Sequence, residues 1–173
     1  MIKAQSLIWD CTFTREHVLE ILNVTPKALE HTLDPKRQLL RLDATRINPG
    51  TGRKRMFSGG DIIQLKALYA LARVGFPMPD AAYICEGIAS RAAILAPLGR
   101  GALPHQYLAI AWTDEGICWP IIFYQGGEEP DLPLTCQFMD VDRLISETMR
   151  QLLAVKADEP IPDFSWKPKE KPE

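Results

Sequence analysis

The stretch that most constrains this chain is FTREHVLEILNVTPKALEHTL (13–33), where helix signals crowd too closely to allow one long element. Thr14 can accept a hydrogen bond from the open N–H groups of a first helix turn, so a helix is expected over Arg15–Leu22. Val18, Leu19 and Leu22 then lie on one apolar face. Asn23 follows where the chain must turn back, and Asn tolerates the left-handed backbone better than most residues. Thr25 is a second N-cap, and Pro26 stands at a first helical position, where its missing N–H costs nothing. A short second helix is expected from Lys27 to about Thr32, with Ala28 and Leu29 turned inward. Two helices joined so tightly make a helix-turn-helix, a unit that can lay the start of its second helix in the major groove of DNA. The residues placed to contact DNA there are Thr25, Lys27, Glu30 and His31. A lysine can reach a guanine edge, and a glutamate can accept from cytosine N4.

Charge gives this reading a direction. The chain carries 20 Lys+Arg and 22 Asp+Glu, a net of −2 that by itself argues against nucleic acid. The distribution reverses the argument. Residues 1–60 hold ten Lys+Arg and six Asp+Glu, while the remainder holds ten and sixteen. Between Lys27 and Phe57 the excess is eight against three. Much of it lies on KRQLLRLDATRINPGTGRKRMFS (36–58), two short alternating segments around a Pro/Gly tip, which reads as a hairpin. Arg46, Arg53, Lys54 and Arg55 there suit a wing gripping the phosphate backbone or minor groove.

Ser58 and Asp61 form a capping arrangement for the next helix, in which Ile62, Leu65, Leu68, Tyr69 and Ala72 share one side. Pro77-Met78-Pro79-Asp80 breaks the chain, and a further helix follows over 80–93. The order of these features, with the run Arg55-Met56-Phe57-Ser58, then Asp61, Leu65, Leu68 and Val74-Gly75-Phe76, resembles the winged-helix domain of MerR-type transcription regulators. The resemblance covers roughly residues 13–90. It implies that Arg55 and Phe57 close the wing and that Leu29 is the buried leucine of a recognition helix. The chain departs from the family at Glu30 and Thr32, where Arg and an aromatic are usual. Its wing is longer, Gly87, Pro97, Gly99 and Gly101 interrupt the region of the dimerising helix, and effector cysteines have no counterpart.

Behind this half the hydrophobic period changes to two. QYLAIAW (106–112) and ICWPIIFY (117–124) read as a hairpin of strands, with Pro120 restricted to an edge or bulge because it lacks an N–H. LTCQFM (134–139) is a third strand. A helix from Asp140 carries Val141, Ile145, Thr148, Leu152 and Val155 on one face, which covers the sheet or forms a dimer seam. The expected fold class is therefore α+β: a winged helix-turn-helix over 1–95, a linker at 96–104, a small module of β-hairpin, sheet and helix over 105–157, and a disordered tail over 158–173. Phe164 and Trp166 in that tail are a docking motif or an anchor to the chain's own domain.

Composition narrows what remains. At 46% hydrophobic and 24% charged, the chain matches ordinary globular usage, which excludes wholesale disorder. Four isolated cysteines and three scattered histidines show no metal-ligand spacing, so no metal or cofactor is expected and the thiols read as reduced and mostly buried. No residues form a catalytic constellation, and Glu128, Glu129 and Asp131 read as solvated loop carboxylates. The opening MIKAQSLIWD is no secretory leader and no apolar run nears the roughly 20 residues of a bilayer span, so a cytoplasmic protein away from membranes is expected. The leading expectation is a sequence-specific regulator binding double-stranded DNA, a homo-oligomer whose acidic module dimerises it or binds an effector or protein. The alternatives are an excision or architectural factor of a mobile element, and a protein-interaction adaptor whose winged helix no longer meets DNA.

Overall fold

Local hydrogen bonding sets where nearly every helix starts and stops. A computed structural model of the chain describes residues 8–37, 39, 40, 42, 54–98, 103–112, 118–127, 130 and 136–161. In order they form β1 (Thr12–Thr14), α1 (Arg15–Leu22), α2 (Pro26–Thr32), β2 (Met56–Ser58), α3 (Gly59–Arg73), α4 (Met78–Leu98), β3 (Gln106–Trp112), β4 (Cys118–Tyr124), β5 (Cys136–Asp140) and α5 (Val141–Ala157). The protein is α+β.

Thr14, Thr25, Ser58 and Asp140 each accept a backbone N–H of the first turn that follows. At Ser58 the arrangement is reciprocal, because Asp61 accepts from the Ser58 N–H at 2.7 Å. Thr14 has an equivalent partner that sequence did not single out: its N–H donates to His17 Nδ1 at 3.3 Å. The ends of α1, α3 and α5 share one device. Asn23, Gly75 and Asp158 all adopt positive φ. Each is followed by a residue whose N–H reaches back five positions, as in Val24 to Leu19 and Phe76 to Leu71. This bond satisfies a carbonyl that a helix end otherwise leaves open.

β1 is a strand too short to read from sequence, and it pairs antiparallel with β2, setting Phe13 opposite Phe57. Both rings are fully buried. Each contributes about 1.5–3 kcal/mol of burial energy to a small core. Val18, Ile21, Leu22, Leu29, Leu33, Ile62, Leu65 and Leu152 complete that core. Ala28, expected inside, is only half-buried.

The second sheet has the order β4-β3-β5, all antiparallel. β3 is central, so it is buried on both faces at Leu108, Ala109, Ile110 and Ala111, where alternation suggested half-burial. Pro120 lies on the edge strand β4. Gln125 N–H bonds the His105 carbonyl at 2.8 Å. Ladder bonds alternate along an antiparallel pair, so the even-numbered residues of β4 face outward and Pro120 withholds no bond from β3.

α3 differs from the one-sided helix that its spacing suggests. Ile62 and Leu65 face the small core, while Ile63, Leu68 and Leu71 face a larger one. A helix that is apolar nearly all round belongs in the middle of a fold. The larger core joins α3 and α4 (Ile84, Ile88) to β3 (Leu108, Ile110), β5 (Met139) and α5 (Leu144, Ile145). Residues on both sides of 96–104 thus lie in one buried cluster, and α4 runs on through Pro97 to Leu98, five residues beyond the expected end. Pro97 sits in the last turn, where its missing N–H removes one bond only. By length and composition alone α4, with a mean hydropathy of 1.2, could cross a bilayer, and one side of it is buried in the larger core. α5 covers the sheet as expected, and its second half reaches further, placing Leu152 in the small core beside α1.

Cys85 is buried, while Cys11 and Cys136 are half-buried.

Candidate nucleic-acid interface

α1 and α2 meet across a turn of Asn23, Val24 and Thr25, and three contacts fix the second helix against the body. Leu29 is fully buried. Leu33 enters the same cluster. The Thr32 hydroxyl hydrogen-bonds Tyr69 Oη of α3 at 2.9 Å. Burial of Tyr69 pushes its hydroxyl pKa up from the ordinary value, with Thr32 opposing the shift. What remains of α2 faces out. Thr25, Lys27 and His31 are exposed and Glu30 is half-exposed. Lys27 stands three positions before Glu30 and four before His31, so the three share one side of the helix. Thr25 has a second task, because its Oγ1 accepts the Ala28 N–H at 3.2 Å.

The basic stretch reaches this helix at its C-terminal end. Arg46 and Arg53, with the expected hairpin tip around Asn48–Gly52, lie outside the described residues. Lys54 is exposed and Arg55 partly so. Arg55 immediately precedes β2, and the pairing of β2 with β1 brings it beside α2. Its Nη1 donates to Glu30 Oε2 at 2.5 Å. The other carboxylate oxygen, Oε1, meets Arg15 Nη2 at 3.2 Å. Glu30 therefore bridges two guanidinium groups, one from the first position of α1 and one from the approach to β2. Sequence separation hides this cluster, and Arg15 carried no signal beyond its charge. Arg15 Nε is screened from solvent and has no acceptor among the described residues. Lys54 acts nearby on Glu16. The Glu16 carboxyl is held below its ordinary pKa chiefly by its own backbone hydrogen bond, then by Thr14, with Lys54 adding attraction.

Two further polar contacts escaped the sequence reading. His105 Nε2 lies 2.6 Å from Asp140 Oδ1. Arg91 Nε bonds Asp142 Oδ1 at 2.5 Å. Its Nη2 bonds Asp142 Oδ2 at 2.8 Å. The same Nη2 donates to the Pro104 carbonyl at 2.6 Å. These tie the start of α5 to α4 and to the lead-in of β3. Between α4 and β4 lies a groove of about 460 Å³, walled by Tyr83, Ile94, Ile122 and Tyr124 among others. Among the described residues no group of three or more His, Cys, Asp or Glu is placed to hold a metal ion.

Comparison with family models, curated proteins and solved structures finds no match to this chain.

Proposed function

We propose that the chain is a sequence-specific double-stranded DNA-binding protein, a transcription regulator whose residues 13–90 make a winged helix-turn-helix of MerR type. The observation that carries this reading is the contact of Arg55 with Glu30, which sets the end of the basic stretch against the exposed side of the second helix. A groove-reading helix needs phosphate-binding charge beside it, and the contact of Arg55 with Glu30 supports that reading. Thr25, Lys27, Glu30 and His31 contact the major groove, and Arg46, Arg53, Lys54 and Arg55 hold the backbone. The protein acts as a homo-oligomer in the cytoplasm, reading half-sites about one helical turn apart, roughly 34 Å. Its acidic second half mediates assembly.

The test is selection of duplexes from a random library by the full chain, followed by binding at several salt concentrations. The expected result is an enriched pseudo-palindrome and a steep fall in affinity with salt. Reversing charge at Arg53 and Arg55 should abolish binding at moderate salt. Unchanged affinity in that variant would remove the wing from the interface. One feature favours a second reading: Glu30 neutralises Arg55, as an adaptor that no longer meets DNA would allow. Failure of the wild type to enrich or shift any duplex at low salt would select that reading. An extended footprint with bending would instead indicate an architectural factor.

A further inference from the structure

A carboxylate held between two arginines is an unusual resident for a helix side that is otherwise polar and exposed. The guanidinium groups of Arg15 and Arg55 come from different elements and are like-charged, so their approach requires a shared anion. Glu30 supplies it, from α2. Each guanidinium has five N–H donors in a planar fork suited equally to carboxylate and phosphate oxygens. The two forks together present more donors than one carboxylate can use, and Arg15 Nε, screened from solvent, has no acceptor among the described residues. The cluster is also open to replacement: the side chains of Arg15, Glu30 and Arg55 are 37%, 43% and 28% exposed. Ion pairs this accessible are cheap to open.

We infer that Arg15 and Arg55 form an oxyanion site that the chain fills with its own Glu30 carboxylate, and that a phosphodiester oxygen of DNA takes the carboxylate's place on binding. The inference rests on the DNA-binding reading for its second half only. Lys27 on the same helix side, and Lys54 next to Arg55, supply the surrounding positive charge that a polyanion meets and a lone carboxylate does not. The arrangement makes Glu30 a built-in competitor. It lowers affinity for any duplex that cannot bring a phosphate to this point, and so favours one docking register over loose association.

The experiment uses the full chain as wild type, Glu30→Gln, Glu30→Ala, Arg55→Ala and the Glu30→Ala/Arg55→Ala double variant. Binding to a mixed-sequence duplex of about 30 base pairs is followed by fluorescence anisotropy across a salt series. Binding of inorganic phosphate is followed by amide chemical shifts. Glu30→Gln and Glu30→Ala should bind the duplex up to about fivefold more tightly at low salt. Their salt dependence should steepen by about 0.9 in log–log slope for each guanidinium freed. Glu30→Ala should gain a phosphate site that the wild type lacks, and the double variant should lose it. Duplex affinity unchanged or weakened in both Glu30 variants, beside a wild type that binds, overturns the exchange, as does the absence of a phosphate site in Glu30→Ala. Phosphate bound by Glu30→Ala while no variant binds duplex overturns DNA as the ligand and leaves a site for a free oxyanion. Glu30→Gln keeps the side chain's shape and an acceptor for Arg55, so its melting curve separates lost folding from lost binding.

Discussion

Two arginine–carboxylate clusters in this protein use the same chemistry in opposite surroundings. Arg91 and Asp142 are 10% and 15% exposed, joined by two parallel hydrogen bonds, and Arg91 has the Pro104 carbonyl as a third acceptor. The Asp142 hydrogen bond pushes the Arg91 guanidinium pKa up, against the opposing effect of burial. Arg15, Glu30 and Arg55 are two to four times more exposed, and each arginine makes a single contact with one oxygen. Removing either partner of the first cluster strands a charge away from water. Opening the second returns its charges to solvent. Exposure, rather than the identity of the pair, separates a strut from an exchangeable contact.

The sharpest way to break this contrast is Asp142→Ala. It leaves Arg91 buried without its carboxylate and should cost about 3–5 kcal/mol in chemical denaturation. Replacing both partners, Arg91→Met with Asp142→Leu, should recover most of that loss, because no unpaired charge then remains. Recovery failing while the single variant stays folded would show that the pair does more than satisfy itself.

Cys85 extends the comparison to a buried ionisable group without a charged partner. Burial pushes its thiol from the ordinary value near 9 up to about 12. The folded pKa is the higher one, so this contribution to stability is complete below about pH 9 and is lost as pH rises toward about 12. Between these limits the wild type should lose about 1.4 kcal/mol per pH unit relative to Cys85→Ala. Melting curves of both proteins at pH 8 and 10 measure the difference, and parallel behaviour would remove the thiol from the account. The smallest effect belongs to Glu30→Gln, which should change stability by under about 1 kcal/mol at moderate salt. A loss as large as that of Asp142→Ala would make the exposed cluster a strut as well.

How far the sequence announces these features depends on the distance over which each is satisfied. Thr14, Asn23, Thr25-Pro26 and Ser58–Asp61 are legible because their partners lie within a few residues, and every one stands where expected. Glu30 looks like a free groove-facing acid because Arg55 is 25 positions away. Arg91 looks like a surface arginine because Asp142 is 51 positions away. His105 and Asp140 are 35 apart. The double burial of α3 escaped a one-face reading because Leu68, grouped by spacing with Ile62 and Leu65, faces the larger core beside Ile63 and Leu71. β1 escaped because three residues carry no alternation, and only its pairing with Phe57 gives Phe13 a reason to be buried.

The reach of α5 has a consequence for how the chain comes into being. Leu152 completes the core that supports α1 and α2. Lys156 donates to the Thr12 carbonyl at 2.7 Å across 144 positions. Its ammonium also sits 4.7 Å over the Phe13 ring. A nascent chain emerging from the ribosome therefore holds its α1–α2 unit with one wall missing until residue 152 has been made. At about 5–20 residues per second, the apolar sides of Phe13, Val18 and Leu22 wait several seconds for cover. Maturation of the half that holds α1 and α2 is timed by α5.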